Sequence, residues 1–308
     1  MLVLCYHKVC DLDRDWNGIA TSLDTFSNQM EYIYKTYGFA SSNELVNTKQ
    51  DKRVVLTFDD GFEDNYTNVL PIIQAYGIPA LFFIATETIH TQRETWCNEL
   101  IRIILEGYEY PNCFLFGENG EMKLFQTETV EQRITLYHYI RNIMLGLNAE
   151  KRNDIFDLLK TWAGTDRYPA RTTHRMMSVE QIRDLSSKEG ISIGCHTVTH
   201  PSLGLLTDEQ QRYEILQSQN TLEEIIGKKV DQFAYPFGGI NDYNITTMNI
   251  LESLNFKRAY STTFKRKSKL DSVFEIPRVC INEMSMEVFK NKVDMSIEKE
   301  SYYFEESI

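Results

Sequence analysis

Residues 53–58 constrain this chain more than any other stretch. Val54, Val55 and Leu56 are apolar at consecutive positions, and the run breaks abruptly into Asp59-Asp60-Gly61. A strand that is apolar on both faces needs cover on both faces, which is the situation of a parallel sheet with helical crossovers. The residues that follow fit this. Val69, Ile72 and Ile73 recur at helical steps toward a stop at Gly77, and residues 80–85 form a second apolar run. Strand, helix and strand in that order make the parallel βαβ unit.

The same alternation occurs on either side. Leu2–Tyr6 reads as a short buried strand, followed by a helix carrying Leu23, Phe26, Met30 and Ile33 and stopping at Gly38. Later, Ser178-Val179-Glu180-Gln181 and Thr207-Asp208-Glu209-Gln210 are capping boxes, in which each side chain satisfies a free backbone N–H at the start of a helix. These helices run to Gly190 and Gly227. Strands are expected at Ile191–Cys195, 230–235, 257–261 and 273–276, with a helix at about 245–254. Between about 87 and 175 the rhythm changes: Leu100, Ile103 and Ile104, then Ile134 to Met144, then Phe156, Leu159 and Trp162 mark three helices. We read this region as a helical insertion or lid in a larger unit covering 1–295. Trp96 and Trp162 either pack it or stack on a ligand. Residues 296–308 read as an acidic, exposed tail.

Charge and cysteine usage narrow the partners. With 32 Lys and Arg against 44 Asp and Glu, the net charge is −12, which argues against a nucleic-acid partner and against docking on anionic lipid. No apolar run reaches the ~18 residues of a membrane span. The N-terminus lacks the basic, apolar pattern of a signal peptide. The six cysteines have irregular spacing and no C-x-x-C pair, so they read as free thiols in a reducing, cytoplasmic setting, with disulfides as the alternative.

The polar residues that break the pattern sit where strands end. His7 follows the first strand, Asp59 and Asp60 the second, and His196 follows Cys195. Tyr235-Pro236-Phe237-Gly238 and Arg278 follow two more. In barrels of parallel strands these ends converge on one rim, where the chemistry takes place. Two adjacent carboxylates repel unless a cation lies nearby, so one of them can bind a metal while the other takes a proton. Alone, Asp59-Asp60-Gly61 also reads as a solvated turn. His196-Thr197-Val198-Thr199-His200 can present two nitrogens to one ion, and with one Asp makes a set that leaves positions open for water, the mark of a catalytic rather than a structural site.

Taken in order, Thr57-Phe58-Asp59-Asp60-Gly61, His196-Thr197-Val198-Thr199-His200-Pro201 and Phe233-Ala234-Tyr235-Pro236-Phe237-Gly238 resemble the successive motifs of the polysaccharide deacetylases, carbohydrate esterase family 4. Tyr6-His7-Lys8-Val9 resembles the start of a permuted branch of that family. The resemblance implies an α/β fold, a distorted (β/α) barrel of about seven parallel strands. It also implies a divalent metal, zinc ahead of cobalt or nickel, held by Asp60, His196 and His200. Asp59 would be the base. Tyr235 and Phe237 would lie at the oxyanion and substrate, with Phe237 offering its backbone N–H.

Two departures accompany the resemblance. The family's third motif usually carries an Arg that orients the base, where this chain has Ala234; Arg278 either supplies that charge from another strand end or is a surface ion-pair partner. No His follows His200, so the acid of the usual late motif is absent. His7 is then either its replacement or a buried His capping a strand end. The implied reaction is hydrolysis of an N-acetyl or other N-acyl group from an amino sugar or a glycan intermediate of surface-polysaccharide synthesis. The alternatives are the same chemistry on another C–N bond, such as a formamide or cyclic imide, or a catalytically silent glycan-binding protein.

Overall fold

The computed structural model describes residues 1–45, 51–91, 93–107, 109–118, 120–165, 170–263 and 273–303. The chain divides into two compact units, Met1–His90 with Met176–Ile308, and Thr91–Arg175.

The larger unit is built on one sheet of parallel strands: β1 (Leu2–Tyr6), β2 (Val54–Phe58), β3 (Ala80–Ile84), β4 (Ile191–Cys195), β5 (Gln232–Ala234), β6 (Arg258–Ser261), β7 (Ile276–Pro277) and β8 (Val279–Cys280). Their order is β7-β6-β5-β4-β3-β2-β1-β8. The two outermost strands are halves of one extended stretch on either side of Arg278. Ile276 and Pro277 pair with Tyr260 and Ser261, while Val279 and Cys280 pair with Leu4 and Cys5. The pairings therefore run round a ring, a (β/α) barrel in which this stretch is the seventh stave. The strand expected at 273–276 begins only at Ile276. Val273 is half exposed, and its carbonyl accepts the N–H of Ala259 outside any strand ladder.

Alternation along the strands sorts side chains into two cores, because successive residues point to opposite faces. Val3, Val55, Leu81, Phe83, Ala234 and Tyr260 meet one another inside the ring. Leu2, Leu4, Tyr6, Leu56, Phe58 and Phe82 point outward onto the helices, meeting residues such as Phe26, Met30, Ile73 and Ile182. Gly194 makes room for the inner core, since a Cβ there would lie 2.4 Å from the Phe83 ring. The covering helices are α1 (Leu23–Thr36), α2 (Leu70–Ala75), α3 (Val179–Ser187), α4 (Asp208–Ile226), α5 (Ile245–Ser253) and α6 (Met286–Tyr303). Both expected capping boxes are formed, at Ser178 and Thr207. α6 continues through the start of the acidic segment, and Ile297 joins the outer core; residues 304–308 lie outside the described residues.

The smaller unit holds the three expected helices, Trp96–Leu105, Val130–Met144 and Ala149–Ala163. It also holds an antiparallel hairpin, Cys113–Glu118 with Glu121–Gln126, that the helical pattern did not lead us to expect. Its sequence signal was present: Phe114 and Phe116 alternate, and Asn119-Gly120 is a favoured two-residue hairpin loop. Trp96 is buried under the Arg152 guanidinium. Trp162 packs on Phe114 and Tyr110, and its Nε1–H donates to the Cys113 carbonyl. Both tryptophans thus have packing partners within this unit.

Candidate active site

The C-terminal strand ends of the barrel bring together seven of the eight residues singled out in the sequence. β2 delivers Asp59 with its side chain inward, in phase with Val55 and Thr57. The next residue breaks the phase. Asp60 has φ +73° and Gly61 φ +90°, so the chain reverses, and a Cβ on Gly61 would lie 2.9 Å from Ile84 Cγ2. Thr197, His200 and Phe237 also have positive φ. A left-handed non-glycine residue costs about 1–2 kcal/mol, and such strain gathers at functional sites. Among the described residues only one other non-glycine, Asn255, has positive φ.

Asp60, His196 and His200 form a tight triangle. Asp60 Oδ1 lies 3.5 Å from His196 Nε2 and 3.3 Å from His200 Nε2, and the two Nε2 atoms are 3.2 Å apart. His196 Nδ1 faces the Ala234 carbonyl at 2.8 Å. A carbonyl only accepts, so Nδ1 carries the proton and Nε2 of the neutral ring presents a lone pair. Two imidazole nitrogens and a carboxylate oxygen turned on one point repel unless a cation lies between them. Ligands about 2.1 Å from a tetrahedral ion lie roughly 3.4 Å from one another. The donor set and its spacing fit a divalent metal. Burial opposes the charge of Asp60, but where the ring nitrogens of His196 and His200 facing it carry protons instead, they outweigh burial and hold the carboxyl well below its usual range.

The loop carrying the two histidines is fixed from outside the barrel by Glu214, a buried residue of α4. Its carboxylate accepts the N–H groups of Val198 and Thr199, at 2.9 and 2.8 Å, and the Thr199 hydroxyl at 2.7 Å. The Thr197 hydroxyl oxygen accepts the His200 N–H at 3.0 Å.

Asp59 stands apart from the triangle, with Oδ2 4.0 Å from His196 Nε2. Arg278 grips it with two parallel bonds, Nη1 to Oδ1 at 2.6 Å and Nη2 to Oδ2 at 2.7 Å, and Nη1 also donates to Thr57 Oγ1 at 3.2 Å. Arg278 is 1% exposed, so the surface ion-pair reading is excluded. Burial pushes Asp59 up, but the charge around it, Arg278 first, outweighs burial and the carboxyl is held below its ordinary value. A ring nitrogen of half-buried His7, the Cys5 sulfur and an Asp59 oxygen lie within 4.8 Å of one another. The His7 segment is clamped by the turn of π-helix Asn65–Val69 and the residue before it. Asn65 Nδ2 donates to the His7 carbonyl, Asn68 Nδ2 to the Val9 carbonyl, and Asp64 accepts the Val9 N–H and bonds Lys8.

Phe237 stands edge-on to His200, with ring centroids 4.8 Å apart. Its carbonyl accepts the Thr262 hydroxyl, and the Thr262 N–H donates to Gly238. A Cβ on Gly238 would meet that nitrogen at 2.8 Å. Tyr235 is the one residue not brought in. Alternation turns Ala234 into the barrel and Tyr235 out of it, so its ring stacks on Tyr243 at 3.9 Å and its hydroxyl donates to the Phe274 carbonyl. It is fully buried and its side chain does not reach the site. Sequence reasoning did not find Glu214, Asp64, Asn65 or the thiols of Cys5 and Cys280. Glu214 left only a faint trace, an acidic residue on a helix face otherwise carrying Gln211, Ile215 and Ser218.

The polysaccharide deacetylase family model matches residues 46–112 and 147–259, more than half of the chain, and spans Asp59, Asp60, His196 and His200 but neither His7 nor Arg278. YxkH of Bacillus subtilis (strain 168), a protein assigned as a polysaccharide deacetylase, is 19% identical over 287 residues, 91% of this chain and 71% of that protein. Among solved structures, the deacetylase PplD of Streptococcus pyogenes in complex with acetate has a TM-score of 0.57 at 19% identity, covering 92% of each chain. IcaB of Ammonifex degensii has a TM-score of 0.57 at 19% identity, covering 96% of each. A de-N-acetylase of Aggregatibacter actinomycetemcomitans has a TM-score of 0.56 at 15% identity, covering 94% of this chain and 98% of that one. At these identities the likeness is one of fold. No helix among the described residues is long and apolar enough to cross a membrane.

Proposed function

Because the chain belongs to the polysaccharide deacetylase family, we propose that it is a metal-dependent carbohydrate N-deacetylase acting on an N-acylated amino sugar or glycan. One observation carries the reading: the triangle of Asp60, His196 and His200, 3.2–3.5 Å on a side, stands beside a separate carboxylate held in its charged form by Arg278. Asp60, His196 and His200 are the ligands. A divalent ion there, zinc ahead of cobalt or nickel, supplies Lewis acidity toward the amide carbonyl and toward water.

The residues of the chain do the rest. Asp59 takes the proton of the attacking water. Arg278 holds both carboxylate oxygens and so fixes which lone pairs face the substrate. The backbone N–H of Phe237 donates to the oxygen that becomes negative as the carbonyl is attacked. His7, close to Asp59, gives a proton to the departing nitrogen, because an amine is a poor leaving group without one. The silent glycan-binding alternative drew on the missing Arg at Ala234. Arg278 on Asp59 removes that motive, since the charge is present and comes from another stave.

The test is metal content together with acetate release. Purified protein is expected to bind about one divalent ion per chain and to release acetate from N-acetylglucosamine oligomers, with Asp59→Asn keeping the metal but losing turnover. Turnover close to normal in that variant would overturn the base assignment. Absence of metal after incubation with zinc, cobalt or nickel would overturn the metal centre.

A further inference from the structure

Two of the six cysteines stand together beside the base, and the proposed reaction uses neither. Cys5 of β1 and Cys280 of β8 are direct partners in the parallel ladder that closes the barrel. Both point inward: Cys5 is in phase with Val3, and Cys280 with Arg278. Directly paired positions on neighbouring strands place their Cα atoms about 4.8 Å apart, within the roughly 4.4–6.8 Å that a disulfide spans. The Cys5 S–H has Asp59 Oδ2 at 3.4 Å and the Cys280 sulfur as alternative acceptors. None of the six cysteines, all of them among the described residues, is in a disulfide.

The pair is chemically asymmetric. The hydrogen bond from Cys5 pushes the Cys280 thiol down to about 6, against its burial and with help from His7 and Arg278. Burial pushes Cys5 up, so it stays protonated and acts as the donor. A thiolate is the reactive form of cysteine, and thiolates arise beside cations and hydrogen-bond donors. Cys280 is also the partner with some exposure, whereas Cys5 has none. This gives a nucleophile with a resolving thiol already next to it, the arrangement of redox-active cysteines.

We propose that Cys5 and Cys280 form an oxidative modification site that takes a hydroperoxide as its reagent and closes to a disulfide beside Asp59. The Cys280 sulfur attacks a peroxide oxygen, and the O–O bond breaks. The leaving oxygen takes a proton and departs as water or an alcohol, and Cys280 becomes a sulfenic acid. The Cys5 sulfur then attacks the Cys280 sulfur, the S–O bond breaks as the S–S bond forms, and the hydroxyl leaves with the Cys5 proton as water. Two thiols lose two electrons in all, and the peroxide gains them. Closure also removes the only S–H that reaches Asp59 among the described residues. Formation of the bond does not depend on the proposed reaction; its effect on turnover rests on that reading.

The test treats the full chain with a small excess of hydrogen peroxide, alkylates the remaining thiols in denaturant, and maps the unreduced digest by mass spectrometry. A Cys5–Cys280 cross-linked peptide pair is expected. It should form faster than the exposed Cys113 is oxidised and return to two alkylatable thiols on reduction. Cys280→Ser, checked for an unchanged melting temperature, should leave Cys5 alkylatable after the same treatment. Two results would overturn the site: Cys280 oxidising no faster than Cys113, or Cys280 ending as a sulfinic acid with Cys5 still free. Loss of turnover that parallels the cross-link and reverses with reduction would extend the site to the reaction. A cross-link with unchanged turnover would confine it to a modification.

Discussion

Arg278 holds both carboxylate oxygens of Asp59, at 2.6 and 2.7 Å, across 219 residues of sequence, and it does so from the seam where the barrel closes. The stretch that joins the last strand to the first is also the one that charges the proposed base. Closing the fold and arming the site are therefore one event. The backbone N–H of Arg278 donates to the Ser261 carbonyl on one side, while its side chain crosses to β2 on the other.

Removing one member of this buried pair should cost far more than removing both. Arg278→Met leaves Asp59 charged and uncompensated, and is expected to lose about 3–5 kcal/mol of stability. Asp59→Asn/Arg278→Met should lose less than Arg278→Met alone. Denaturant unfolding of the wild type, both single variants and the double variant measures the coupling. A double variant as unstable as the summed singles would show that the pair is not coupled.

The pair also sets a pH dependence of known sign. The Asp59 carboxyl is held below 3.8, its ordinary value, despite burial, chiefly by Arg278. A group depressed in the folded state contributes stability that is complete above its unfolded value and is lost as the pH falls through its folded value. The stability of the wild type relative to Asp59→Asn/Arg278→Met should therefore fall as the pH drops below 3.8. A relative stability that does not fall below pH 3.8 would contradict the assigned ion pair.

Metal should stabilise the folded chain by mass action. A divalent ion at about 100 times its dissociation constant adds roughly 2.7 kcal/mol. Thermal unfolding with and without zinc should show a rise in the wild type and none in His196→Ala/His200→Ala. An equal rise in both would place the bound ion elsewhere.

Glu214 should act on the metal without touching it. It holds the 197–200 loop through three bonds of 2.7–2.9 Å. Supporting residues of this kind typically contribute 10–100-fold in affinity. Glu214→Ala is expected to weaken zinc by about that factor in a chelator competition, while Glu214→Gln, which keeps one acceptor, falls between it and the wild type. Unchanged affinity in Glu214→Ala would show that the loop holds its shape without this residue.

Gly194→Ala should disturb the inner core. Its new Cβ would fall 2.4 Å from Phe83 Cδ1 and 3.0 Å from the Gln232 carbonyl oxygen. Overpacking of this kind costs about 1–3 kcal/mol. Phe83→Leu in the same chain should recover part of the loss, and denaturation of the single and double variants measures it. A Gly194→Ala variant as stable as the wild type would contradict the close packing at this position.

Much of the fold was legible because its signals are local. Apolar runs bounded by glycines mark strands covered on both faces, and capping boxes at Ser178 and Thr207 fix where helices start. The same signals failed where they were weak. The strand expected at 273–276 shrank to its last residue and moved on to Cys280, because pairing with neighbours on both sides, not hydrophobicity, selects that stretch. In the smaller unit the helical periodicity overshadowed a hairpin marked by alternating Phe114 and Phe116 and by Asn119-Gly120.

The sequence by itself determined which residue types stand at strand ends: two carboxylates, two histidines four apart, and an N-terminal His, each placed there by local pattern. It could not determine which way they point or which distant groups they meet. Only the tertiary structure turned Tyr235 into the outer core, because a period of two leaves its phase to the neighbouring strands. Only the closed ring put Arg278 on Asp59, Glu214 on the histidine loop and Cys5 beside Cys280. Those contacts join residues far apart in the chain, and the sheet register that brings them within hydrogen-bond reach exists only once every stave is paired.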